Sequence, residues 1–227
     1  MKSSSTFFRL VIIFFFTILA VVISRPPALA PQPATEPAES PQAFIEQCCN
    51  APQFVNPKTC YELLSPYAAN IHFGNRTKGA FELIGVALNL AMDETCAVKD
   101  TIAKLIDRVN KNGFKNVPEL LLEVITDSLT QCAGHLGDSI YRIEQSVGQL
   151  QELNMTSKGD LQFQIRTVLA WVITAESFEG DCTEAIVKTV FAVFFRENNV
   201  TAPLNRAVSL TQTALALVAC TADHLIS

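Results

Sequence analysis

Four stretches of this chain repeat an apolar residue at alternating steps of three and four, and that periodicity limits the fold more than any other feature. The first runs Phe81, Ile84, Leu88, Ala91, Thr95, Val98, Ile102, Leu105 and Val109, with Thr95 as its one polar member. An α-helix of 3.6 residues per turn places such positions on a single face. Gly113 then reads as a stop. The second stripe is Leu122, Ile125, Leu129, Cys132, Leu136, Ile140, Ile143, Val147 and Leu150, with Pro118 near its first turn, where a missing N–H costs no bond. Leu161, Ile165, Val168, Val172 and Ala175 form the third. The fourth starts just after Pro203 and comprises Leu204, Val208, Thr211, Leu215, Val218, Ala222 and Leu225. Gly-rich turns between alternating runs, the signature of strands, are nearly absent. The expectation is an all-α protein in which four long helices, joined by short connections, pack as antiparallel neighbours in a bundle. The stretch 183–197, TEAIVKTVFAVFFRE, is apolar on more than one side. It predicts a buried continuation of the third helix or a separate helix.

The N-terminus has a different character. Lys2 and Arg9 precede LVIIFFFTILAVVI (10–23), fourteen residues that are short for a membrane span of about 20. The stretch has the form of a secretory signal, residues 1–24, cut after Ser24. A cut after Ala30 would leave Pro31 first, a poor geometry for a peptidase. An uncleaved anchor is the rival reading, disfavoured by the short run and the lack of a basic stop after it. No stable membrane anchor is then expected once the signal is cut. Residues 25–42, opening RPPALAPQPATEPAESP, are crowded with proline and read as an extended, solvated linker. What remains, 43–226, suits one domain. Losing Lys2 and Arg9 leaves 15 basic against 22 acidic residues, a balance of −7, which argues against nucleic-acid binding.

Seven cysteines in a secreted chain imply disulfides with one thiol left over. Continuing the third stripe beyond Ala175 by four and three gives Glu179 and then Cys182, so Cys182 and Cys132 both face inward from neighbouring helices. A bridge between them is expected; two buried free thiols are the alternative, and secretion argues against it. Sequons at Asn75, Asn154 and Asn199 fall at helix ends or loops and are expected to carry glycans. Residues 43–68 read as short helical pieces broken by Pro52, Pro57 and Pro66, too broken to stand without a staple.

Motifs of catalysis are missing. His72, His135 and His224 fall in separate regions, without the spacing a metal site uses, so no metal and no cofactor are expected. Gly-x-Ser-x-Gly elbows and Gly-rich phosphate loops do not occur. Glu176 and Glu179 lie on one helix turn and read as a solvated acidic patch; Asp93 and Glu94 read as surface charges. Phe191, Phe194 and Phe195 read as core, and Trp171 stays open between core and contact surface.

Several of these residues fall into one larger pattern. Phe44-Ile45 is followed by Cys49, then by Pro57-Lys58-Thr59-Cys60; Cys132 comes mid-chain; Trp171 precedes Cys182 by eleven, with Glu184 two further on; and TALAL (213–217) lies in the last helix. In these features the chain, from about residue 43 to 226, resembles the plant invertase inhibitor and pectin methylesterase inhibitor domain. The resemblance implies an up-and-down four-helix bundle preceded by an α-helical hairpin, with bridges Cys49–Cys60 and Cys132–Cys182. Cys48 is an alternative to Cys49 as the partner of Cys60, and a third bridge, free thiols or an intermolecular link stay open for Cys48, Cys96 and Cys220. It further implies a protein that is no enzyme and that inhibits by contact, as a monomer or weak dimer. The expected location is the cell wall, with the vacuole as the alternative. The first cysteine loop has ten intervening residues where eight are usual, and Ala133-Gly134-His135-Leu136 replaces an acidic-and-tyrosine signature. A Pro-Lys-Phe motif associated with invertase inhibition is absent. Pectin methylesterase is therefore the preferred partner, acid invertase the second, and a helical interaction module without inhibitory activity a third; the residues that would touch the target stay unknown.

Overall fold

The computed structural model describes residues 40–51, 56–71, 76–111, 114, 117–153, 157–187 and 192–226. The signal at 1–24 and the linker as far as residue 39 lie outside the described residues, as do His72, Asn75, Gly113, Asn154 and Phe191.

Two short helices open in the same way. Ser40 and Asn56 each turn a side-chain oxygen onto a backbone N–H three residues on, Ala43 at 3.2 Å and Thr59 at 3.3 Å. Each is followed by a proline at the first helical position, where no N–H is needed. The helices are α1 (Pro41–Cys49) and α2 (Pro57–Leu64), with a 3-10 turn at Ser65–Asn70. Pro41 and Gln42 therefore belong to a helix, although composition puts them in the linker; proline starts a helix as readily as it interrupts one. The hairpin buries Phe44, Ile45, Cys49, Cys60 and Leu64, and Cys49 is joined to Cys60. Cys48, one position round the helix, is half-buried and outside that bond.

Four long helices follow: α3 (Arg76–Asn110), α4 (Glu119–Gln151), α5 (Lys158–Val187) and α7 (Thr201–Ile226). A short α6 (Ala192–Glu197) stands between the last two, so the 183–197 stretch ends α5 and then forms its own helix. α3 packs on α4 and α7, and α5 packs on the same two, so α3 and α5 face each other across the bundle's diagonal. Rising numbers on one helix meet falling numbers on its neighbour, as in Cys132–Cys182 beside Ser139–Glu179, and the neighbours are antiparallel. α7 starts at Thr201, two residues before Pro203, which sits harmlessly in the first turn. α6 closes on Asn199, at φ 60, where Val200 N–H donates to Phe195 O at 3.0 Å.

Every member of the first stripe is buried, Thr95 included. The third stripe is likewise buried throughout, and its extension Glu179, Cys182, Ile186 continues inward. The second stripe departs from expectation: Ser139 and Ser146 are buried, while Ile140 and Val147 are half-exposed. In the fourth, Val208 and Leu215 turn partly outward, and Ala207, Leu210, Ala214 and Leu217 fill the interior. Ala207 and Ala214 thus take interior positions that apolar bulk alone would not predict. The apolar interior falls into two clusters. One holds the hairpin together with Phe81, Leu88, Ala91, Ile143, Ala175 and Ala214. The other holds Val98, Leu136, Cys182, Phe195 and Ala207.

Candidate functional site

Between the two apolar clusters lies one polar layer, built from one residue of each long helix. Thr95 of α3, Ser139 of α4 and Thr211 of α7 all turn hydroxyls to Oε1 of Glu179 on α5, at 3.1, 2.9 and 2.9 Å. All four side chains have no exposed surface. Glu179 is thus no part of a solvated acidic patch, and that expectation is corrected: helical period carries it inward, and three hydroxyls supply the partners a buried carboxyl needs. Glu176, one turn away, stays half-exposed and accepts from Gln212 Nε2 at 3.1 Å. Desolvation raises the Glu179 pKa from 4.5 to about 7, outweighing the three hydroxyls that lower it, and repulsion from Glu176 adds to the rise. A raised carboxyl pKa is also the mark of a general acid. Here the group has no path to a substrate, because the layer is sealed on all sides.

Glu94 is half-buried and meets the exposed Arg206 of α7 at 3.2 Å, and Asp93 is exposed. His135 stacks on Phe178 at 6.2 Å between ring centres. Cys96 is exposed, and its thiol is pushed up first by desolvation, then by Asp100, Asp93 and Glu144, with Lys99 opposing. That setting disfavours a thiolate nucleophile. Among the described residues no group of acids, histidines and cysteines could hold a metal ion. No helix among them is long and apolar enough to cross a membrane.

Cys132 and Cys182 are buried and joined to each other, fixing α4 to α5 beside the polar layer. Cys48, Cys96 and Cys220 take no part in a disulfide. Asn199 is exposed in its turn, open to a modifying enzyme; the other two sequon asparagines lie outside the described residues. Trp171 is half-buried. Phe195 is fully buried, while Phe194 packs edge-on between it and Phe114, which Arg108 covers at 5.0 Å.

The outer surface carries the large side chains that a contact would use. Phe163 and Ile173 of α5 and Tyr141 of α4 are exposed by 73%, 49% and 55%. Tyr141 is held in place by its own helix. Arg142 lies 5.6 Å from its ring centre and donates to Gln145 Oε1 at 2.8 Å, while Gln145 Nε2 donates to the Tyr141 hydroxyl at 3.2 Å. Sequence periodicity placed these positions outside the stripes without singling them out.

Residues 43–217 match the family profile described as plant invertase/pectin methylesterase inhibitor. Pectinesterase inhibitor 10 of Arabidopsis thaliana is 26% identical over 178 residues, covering 77% of this chain and 50% of that protein. The chain therefore spans half the length of this relative. The 21 kDa protein of Daucus carota is 25% identical over 175 residues, covering 77% of this chain and 81% of the carrot protein. No solved structure matches the chain significantly.

Proposed function

The chain belongs to the plant invertase/pectin methylesterase inhibitor family, and from that premise we propose that it is a secreted inhibitor of pectin methylesterase, blocking the substrate cleft by reversible contact. The match over residues 43–217 carries the reading, and the name of the Arabidopsis relative favours pectin methylesterase over invertase. The helical frame suits such a role. Among the described residues the one perturbed carboxyl is sealed inside, which suits action by occupation rather than by chemistry. Two disulfides hold the frame, which limits the ordering cost of binding. Residues 1–24 direct export to the cell wall, and glycans at Asn75, Asn154 and Asn199 accompany it. The protein works as a monomer or weak dimer without a cofactor. Contact runs over the outer face of α4 and α5, where Tyr141 is a rigid aromatic anchor of the kind that dominates interfaces.

Titration of the oxidised protein against a pectin methylesterase and an acid invertase, in parallel at mildly acidic pH, tests this. The expected result is loss of pectin methylesterase activity at near-equimolar inhibitor, with Tyr141→Ala weakening it by more than about 1 kcal/mol. Loss of invertase activity alone would move the target to invertase. Two unaffected enzymes and a folded, disulfide-bonded protein would favour a helical interaction module without inhibitory activity.

A further inference from the structure

The two oxygens of Glu179 are treated differently. Oε1 faces three hydroxyls, whereas Oε2 is buried and has no hydrogen-bond partner. The Thr95 hydroxyl has a single proton and two acceptors within reach: Ala91 O at 2.7 Å and Glu179 Oε1 at 3.1 Å. Donated to the nearer Ala91, that proton leaves Thr95 Oγ1 able to accept one. The proton available is the carboxyl's own. With Glu179 protonated on Oε1, Ser139 and Thr211 donate to Oε1, Oε1 donates to Thr95, and Thr95 donates to Ala91, so that Oε2 is left as a neutral carbonyl oxygen rather than as part of a charge. An ionised Glu179 draws the Thr95 proton away from Ala91 and leaves a full charge at the bundle's centre, with Oε2 buried and without a partner. We propose that Glu179 is a proton latch: as the neutral acid it ties the four helices together at mid-length, and its ionisation loosens them at that level.

No nearby charge among the described residues offsets the ionised form. On α5 itself Glu176 repels it. From α4, Asp138 is exposed, His135 stacks on Phe178, and Arg142 is engaged with Gln145 and Tyr141. From α3, Glu94 is paired with Arg206 of α7, and Lys99 runs over Gly137. Arg196 and Glu197 of α6 are exposed. Of these, only Glu176 exerts a charge effect on Glu179.

The sign follows from the direction of the shift. A carboxyl whose folded pKa lies above its unfolded one contributes its full stability below the unfolded value of 4.5 and loses it as pH rises through about 7. The contribution of Glu179 to the bundle is therefore largest in acid. Glu179→Gln keeps the shape and is neutral at every pH. Urea unfolding of the oxidised wild type and of Glu179→Gln should give a ratio of unfolding constants that grows in favour of wild-type unfolding, by roughly 200-fold between about pH 4 and about pH 8. A constant ratio would overturn the latch. Should the variant fail to fold, wild-type protein labelled with 13C in its glutamate carboxyls gives an independent reading. One carboxyl should titrate near neutrality, in step with faster amide exchange around Thr95, Ser139 and Thr211 once the intrinsic rate is corrected. Titration of every glutamate in the ordinary acid range would refute the proposal.

Discussion

The helices of the N-terminal hairpin are nine and eight residues long, while those of the bundle run from 26 to 35. Helices as short as the first two are marginal alone, so they depend on end chemistry and on a covalent tie. Ser40 and Asn56 cap them, Pro41 and Pro57 set their first turns, and Cys49–Cys60 closes them over a separation of 11 residues. The long helices depend on their buried faces. Each leucine or isoleucine sealed there, such as Leu88, Leu129 or Ile165, is worth about 1.5–3 kcal/mol. Their tie, Cys132–Cys182, spans 50 residues and joins elements that already face one another. The lesson is that local signals hold one part together and a repeated pattern holds the other.

Breaking the ties puts the contrast to the test, the largest effect first. Cys132→Ala or Cys182→Ala should lower global stability by about 4 kcal/mol on the loop-entropy argument. The double variant should cost little more than either alone, since both remove one bond. Urea unfolding followed by helical circular dichroism measures this. Cys49→Ala or Cys60→Ala closes a smaller loop and should cost about 3 kcal/mol. That loss should be local: amide exchange should rise over 41–64 while the long helices stay protected. A bundle that melts together with the freed hairpin would make the two regions one cooperative unit. The smallest effect is Asn56→Ala, which removes the cap of α2 and should cost about 1 kcal/mol. If it matched the loss of the disulfide, the cap would be the main tie.

The same contrast separates what could be read in the sequence from what could not. Long helices announce themselves by period, and the first stripe is correct at every position because its members are apolar or, like Thr95, small enough to sit among apolar neighbours. The second stripe drifts at Ser139 and Ser146, where hydroxyls take inward positions that a hydrophobic pattern assigns to Ile140 and Val147. The polar layer was legible only in fragments. Glu179 falls on the third stripe by spacing, yet its charge argues for the surface. Its three partners stand 84, 40 and 32 residues away, so no local signal ties them together. A polar residue at equivalent depth in each of several stripes is the clue that resolves such a case. The contact surface was the least legible part, because the period places Tyr141 and Phe163 on outward faces without marking which outward positions a partner would touch.

Cys132–Cys182 also changes the chain from a line to a closed ring with two tails. The ring takes in most of α4, the whole connection to α5, and α5 as far as the bond. A protease that cuts once between residues 133 and 181 therefore releases nothing. Both pieces stay attached through the two sulfurs, and the nicked molecule keeps its subunit mass on a non-reducing gel. Outside the ring a single cut sheds a fragment's covalent link at once, except within the much smaller ring closed by Cys49 and Cys60. The bond thus makes the part of the bundle between residues 132 and 182 tolerant of a first cut.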